Sequence, residues 1–246
     1  GARILATFEN VPLLGTVHLT QTLVVSWLVM LIISGLCIWL GSGLKVTGIS
    51  RKQAVAEMAY TSLVNFVRGN MRPEFDRYIP PVGTIFVTSV GSNLSSLLGI
   101  WSPTADLMTE LAWGLVVFVL ITYHKIKASG IGGYLKGFLE PIFILLPINI
   151  MSECFTPVSM ACRHFGNILS GTVINALIYG ALALASHALF GLLPGLLGDV
   201  LSQIPVLAVG VPAITSIYFD WFSGAMQAFI FCMLTTMYIA NAAEAD

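Results

Sequence analysis

The sequence predicts an all-α membrane protein with about five transmembrane crossings, and three observations carry that expectation. The chain is 57% hydrophobic and only 9% charged, whereas soluble domains carry about 25% charged residues. Its apolar residues gather in runs close to the ~20 residues a helix needs to cross the hydrocarbon. Its basic residues gather between those runs, on one side. A formal net charge of -1 leaves no basic surface for nucleic acid, so no nucleic-acid partner is expected.

Taken in order, the runs describe one membrane domain over residues 1–246. Residues 1–20 carry Arg3 and Glu9 and no small-residue cleavage site, so no cleavable signal is expected there. The run 22–41 is the first crossing, and 82–100 with 107–123 form a hairpin of two more. Pro141 and Pro147 interrupt 138–151, which reads as a broken interfacial segment. The runs 154–193 and 204–240 are too long for an upright helix at about 1.5 Å per residue. A long, strongly tilted C-terminal hairpin accommodates them.

Nine of the eleven Lys and Arg residues fall in 42–79 and 124–137. The positive-inside rule then places the N-terminus outside and the C-terminus in the cytoplasm. Within the first basic region, 50–69 has Val55, Met58, Leu63, Phe66 and Val67 at helical spacing, opposite Arg51, Lys52, Glu57 and Arg68. That pattern predicts an amphipathic helix on the cytoplasmic surface, opened by a capping box of Ser50 and Gln53. The four cysteines lie in apolar segments at spacings that fit neither a metal site nor a disulfide frame, and read as buried small hydrophobes. No metal and no cofactor are expected.

The polar residues inside these runs carry the functional signal. Arg163 stands in "PVSMACRHFGNILSG" (157–171). An arginine at the bilayer centre costs from about 2.5 to more than 10 kcal/mol, according to the reference used. It stays charged, so it serves as a fixed cation and not as a proton carrier. Ser159, Arg163, Asn167, Gly171 and Asn175 recur at steps of four and read as one stripe. The stripe is either a transport path or a packing seam with one salt bridge, from Arg163 to Asp220 or Glu153. In the last run Asp220, Gly224 and Gln227 share a face, and an antiparallel hairpin could bring Gln227 near Arg163. Asn93 and Asp106 cluster near the predicted outer surface. Asp106 could line a water-filled entry or cap the third crossing. His164 points about 100° from Arg163 and reads as a helix-contact residue. Glu140 and Glu153 could line a cytoplasmic exit or cap helix ends.

Together, "PVSMACRHFGNILSG", "FDWFSGAMQAFIFCMLTTMYIA", "SPTADL", "YLKGFLEP" and "LLPINIMSE" resemble subunit a of the F-type ATP synthase over nearly the whole chain. The resemblance implies an ion-translocating stator subunit, most simply a proton-translocating one, in a bacterial plasma membrane. It implies a ring of c subunits, peripheral-stalk b subunits, other ATP synthase subunits and the lipid bilayer as partners. ATP chemistry would belong to other subunits. Arg163 matches the family's essential arginine, with Asn167 and Gln227 as its polar neighbours. Asp220, Asn175, Asp106 and Asn93 fall where the family lines its outer half-channel, and Ser159 and Glu153 fall toward the cytoplasmic side. Thr172, Asp220, His164 and Cys162 depart from the usual pattern. The outer relay would therefore rest on Asp220 and water. The competing reading is a stand-alone secondary transporter or channel. An intramembrane hydrolase is disfavoured because neither a nucleophile–base pair nor H-E-x-x-H is present.

Overall fold

A computed structural model describes residues 3–11, 15–98, 100–140, 142–190, 214–215 and 217–243. The helical expectation needs one correction, at the start of the chain. Strand β1 (Ile4–Val11) pairs antiparallel with β2 (Gly15–Thr20), Thr7 facing His18 and Phe8 facing Val17. The segment is rich in β-branched residues and too short and polar to span a membrane, so local pairing satisfies its backbone instead. An isolated two-stranded ribbon is marginal. This one is tethered, because the Gln21 amide donates to the Arg3 carbonyl at 2.8 Å.

Helix α1 (Gln21–Gly41) starts where the Thr20 hydroxyl accepts from the Leu23 amide at 3.4 Å. Its surface is apolar and largely uncovered, with Leu31 at 73% and Ile38 at 74% exposure. Such a surface marks contact with hydrocarbon or with another protein. Helix α2 (Arg51–Asn70) is capped by Ser50, whose hydroxyl accepts from the Gln53 amide at 3.2 Å. Only half of the expected capping box forms. The Gln53 side chain turns away to exchange two hydrogen bonds with the Lys45 backbone, at 2.8 and 2.9 Å. The second half of α2 packs through Leu63, Val64, Phe66 and Val67, while Val55 and Met58 remain exposed. That leaves an apolar face free on the first half of the helix.

Between α2 and α3 (Ile79–Leu97), a 3-10 turn over Pro73–Tyr78 docks on the helix bundle. Tyr78 and Arg77 both reach Nε2 of His124, and the rings of Phe75 and Tyr78 pack edge-on to that imidazole. Arg68 grips Asp76 with two hydrogen bonds, at 2.6 and 3.0 Å, and holds its carboxyl below the usual carboxylate range. Both side chains are exposed, so the pair registers the turn more than it stabilises the fold.

Helix α4 (Leu107–Gly137) runs well past the expected end at residue 123. Lys125, Lys127 and Lys136 therefore sit on a helix and not in a loop. The chain bends instead at Gly130, whose φ of 72° suits glycine and few other residues. The expected broken segment 138–151 is irregular as far as Leu145, and only its break at Pro147 is corrected. A short 3-10 turn at Phe143–Leu145 leads directly into α5 (Leu146–Phe190), 45 residues long. Pro147 lies in the first turn of α5, where its missing N–H costs nothing. Pro157 lies inside the helix, where it removes one backbone bond.

Residues 191–213, where the hairpin turn and the start of the run 204–240 are expected, fall outside the described residues. The chain returns as a π-helical turn over Ile217–Ser223 that becomes α6 (Gly224–Ala243). The core forms where α3, α4, α5 and α6 meet, around Val82, Val117, Met160, Phe231 and Ile239. Cys232 is buried there. Cys37, Cys154 and Cys162 are exposed, which corrects the expectation that all four are buried.

Four described helical stretches are long and apolar enough to cross a membrane: Gln21–Gly41, Leu107–Gly137, Phe143–Phe190 and Ile217–Ala243. Helix α3, the other expected crossing, falls short of that measure. Its inward face carries Ser89, Ser92, Asn93 and Ser95, all buried against neighbouring helices. A helix polar on its packed face has a modest average hydropathy whatever its outer face meets.

Candidate functional site

Helix α5 has two faces, and Arg163 lies on the exposed one. Pro157, Met160, Ala161, His164, Gly171 and Asn175 are buried. Ser159, Cys162, Arg163 and Gly166 are exposed. Arg163 makes no hydrogen bond or ion pair with any described residue. The fixed cation is thus presented outward.

The expected single stripe does not stay on one face. A step of four residues advances about 400°, so the row drifts about 40° at each step. Ser159 and Arg163 are exposed, Asn167 is half-buried, and Gly171 and Asn175 are buried. The row therefore winds from the outer surface of α5 into the bundle. At Gly171 the approach is tight: a Cβ there would lie 3.1 Å from Cβ of Phe219. Thr172 is exposed, and its hydroxyl donates back to the Ile168 carbonyl at 2.9 Å.

Asn167 is engaged elsewhere than at Arg163. Its amide donates to Oγ of Ser223 at 2.7 Å, across to the π-helical turn. Gln227 is buried on α6 at 7% exposure and makes no hydrogen bond with the guanidinium. The wide turn over 217–223 also breaks the ideal α-helical register assumed between Asp220, Gly224 and Gln227. The backbone of Asp220 lies in that turn, and its side chain is outside the described residues.

The outer cluster is a polar core more than an open mouth. Asn93 is 4% exposed, and its Oδ1 accepts from the Thr104 hydroxyl. The hydroxyls of Ser102 and Thr104 are 2.6 Å apart, and Ser102 donates to the Ser92 carbonyl at 2.7 Å. Nδ2 of Asn93 is buried without a partner among the described residues. Gly224 permits this approach, since a Cβ there would lie 2.7 Å from that nitrogen. Asp106 caps α4, accepting from the Met108 amide at 3.1 Å.

On the side of the basic regions, Glu153 binds Nζ of Lys125 at 2.6 Å, joining α5 to α4. The candidate salt bridge from Glu153 to Arg163 is absent among the described residues. Glu153, Ser152 and Lys125 sit between two cavities of about 610 and 260 Å³, the larger also lined by Asn149, Tyr134 and Glu140.

Sequence reasoning missed one pair. His164 and Glu110 are both fully buried, with Nδ1 2.9 Å from Oε2 but not aligned as a hydrogen bond. Glu110 sits in the first turn of α4, where the helix dipole favours a carboxylate. Oγ of Ser89 on α3 lies 3.4 Å from Nε2 of the same imidazole. Two polar residues 54 positions apart give no pairwise signal in one sequence. The only clue was a glutamate at a helix start too apolar to leave it unpaired.

The model of the ATP synthase A chain family matches residues 23–240. The chain belongs to that family. Among curated proteins, the ATP synthase A chain family member is 34% identical to ATP synthase subunit a 1 of Prosthecochloris aestuarii, covering 94% of this chain and 92% of the relative. It is 31% identical to ATP synthase subunit a 2 of a Bradyrhizobium species, covering 93% and 91%. It is also 32% identical to the sodium ion specific ATP synthase subunit a of Propionigenium modestum, covering 89% and 73%. The ATP synthase A chain is an integral membrane subunit of a larger ATP synthase, and the helices described above fit that setting.

Proposed function

We propose that this chain is the ion-translocating stator subunit of a rotary ATP synthase, most simply proton-translocating. Two offset half-channels would lead to carboxylates on a ring of c subunits, with Arg163 between them. The observation that carries the proposal is the outward presentation of Arg163, with no internal partner among the described residues. A cation so placed is tolerable in a membrane only if a carboxylate or water meets it from outside the chain.

The chemistry follows from that placement. An ion entering from outside, past Asp106, Asn93, Asn175 and Asp220, neutralises a ring carboxylate. The neutral group can then face lipid, which a charged one could do only at high cost. On arrival from the other side, the field of Arg163 favours the charged form and releases the ion. The inward drift of the Asn167–Asn175 row supports a path that leaves the outer face of α5 and enters the bundle. The polar cavities at Glu153 support an opening on the cytoplasmic side, with Ser159 between it and Arg163. Asn167, bound to Ser223, would hold α5 against the π-helical turn, and Gln227 would stand behind both. This reading would put α2 on the cytoplasmic surface and the b subunits outside the helix bundle.

The test is ATP-driven pumping by the whole synthase in sealed vesicles. With sodium omitted, vesicles should acidify, and added sodium should leave the rate unchanged. Pumping that requires sodium, collapses with a sodium ionophore and leaves pH untouched would replace the proton with sodium, as in the Propionigenium relative's name. In the same vesicles Asp220→Asn should slow ion entry from the outer side. Equal rates for this variant and the parent at every outer pH would remove Asp220 from the path.

A further inference from the structure

Four helices converge on His164. Its Nδ1 lies 2.9 Å from the Glu110 carboxylate of α4, and its Nε2 lies 3.4 Å from the Ser89 hydroxyl of α3. Its ring stands 6.2 Å from that of Phe231 on α6, which packs edge-on to Trp113 of α4. His164 and Glu110 are both 0% exposed. Among the described residues, neither carboxylate oxygen of Glu110 has a hydrogen-bond partner. A fully buried carboxylate with no other partner is costly to keep charged, and a neighbouring imidazole is the group able to balance it.

The next residue back along α5 is Arg163, about 100° round the helix. An arginine makes strong bidentate contacts with carboxylates. Glu110 is the carboxylate that the neighbouring residue, His164, already meets, and it belongs to this chain and not to a partner. If Glu110 were charged and unbalanced, it would compete inside the bundle for the cation that must face outward.

We propose that His164 is a positioning residue: it occupies and balances the Glu110 carboxylate, so that Arg163 stays directed away from the bundle. The inference rests on the reading of Arg163 given above. It predicts an asymmetry. Loss of the imidazole with Glu110 retained leaves a competing anion. Loss of the carboxylate charge with His164 retained leaves no competitor.

The experiment compares Arg163→Ala, His164→Leu, Glu110→Gln and the His164→Leu/Glu110→Gln double variant in the whole synthase in vesicles. Coupled ATP synthesis and passive ion leak are each normalised to the amount of assembled complex, which removes effects on folding. His164→Leu should lose coupled synthesis at least about tenfold and gain a leak like that of Arg163→Ala, as expected when a buried charge is left unbalanced. Glu110→Gln should stay within about twofold of the parent, and the double variant should recover to a similar level. A normal rate per complex in His164→Leu would overturn the inference. So would a double variant no better than His164→Leu, which is the outcome for simple packing. Loss of coupling in Glu110→Gln alone would also overturn it, and would place Glu110 in the ion path. If Arg163→Ala itself stays coupled, the reading of Arg163 fails first. If only Arg163→Ala is impaired, the inference about His164 fails alone.

Discussion

Replacing Arg163 with alanine should abolish ATP synthesis and ATP-driven pumping while passive ion conductance through the membrane sector persists. Arg163 is exposed on α5 and has no partner within the described residues, so its removal leaves no buried group stranded. The fold should survive, and the complex should assemble in near-normal amounts. What disappears is a field. An opposite charge within about 4–6 Å lowers a carboxylate pKa by about 1–3 units. Without it, ion release from an arriving ring carboxylate should slow by about 10- to 1,000-fold, since each unit is a factor of ten. The barrier between the two half-channels is lost as well, because a fixed cation no longer repels a passing cation. Coupled synthesis, pumping and leak are measured in the same vesicles. Persistent coupling in Arg163→Ala would remove Arg163 from its assigned role.

A second large effect is expected where two helix backbones meet. A Cβ added at Gly114 would lie 2.8 Å from the backbone oxygen of Pro157 and 3.4 Å from its carbonyl carbon. Backbone cannot rotate aside as a side chain can. Helices α4 and α5 would have to separate, at the place where Pro157 has already removed one helical bond from α5. Overpacking of this kind costs about 1–3 kcal/mol, and about 2 kcal/mol changes the folded-to-unfolded ratio up to 30-fold. Gly114→Val should therefore sharply lower the amount of subunit recovered in assembled complexes and the melting temperature of those that remain. Gly35→Ala is the control, because nothing lies within 4 Å of its added Cβ. Equal recovery of the two variants would mean that the α4–α5 contact is looser than described.

Much of the fold was legible in the sequence because lipid as solvent makes composition decisive. The run 22–41 became α1, and the amphipathic 50–69 pattern became α2 with Ser50 as its cap. Legibility stopped where backbone detail or long-range pairing took over. The basic stretch 124–137 looked like a loop because charge is read as solvent exposure, yet lysines on a helix can reach water while the backbone stays helical. Pro147 looked like a break because its position within the helix was unknown. The N-terminal strand pair, with Glu9, Asn10 and His18 among its apolar residues, offered no apolar run of spanning length.

At the site, Arg163 could be found because a charge within an apolar run has few explanations. Its setting could not. Steps of four look like one face when the drift per step is ignored, and drift decides that Asn175 is buried while Ser159 is exposed. The π-helical turn left no mark in the residue pattern. Glu110 and His164 were each visible, but the contact that joins them depends on how α4 meets α5, and Gly114 and Pro157 set that approach.

The central claim is that the Arg163 face of α5 meets the ring carboxylates. Disulfide cross-linking tests it most directly. In a background retaining one cysteine, cysteines at Ser159, Cys162 and Gly166 are compared with cysteines at Met160, Ala161 and Gly171. Each is paired with a cysteine placed beside the ring carboxylate. The exposed set should cross-link to the ring in the assembled synthase and the buried set should not. Cross-links from the buried set, with none from 159, 162 and 166, would contradict the account.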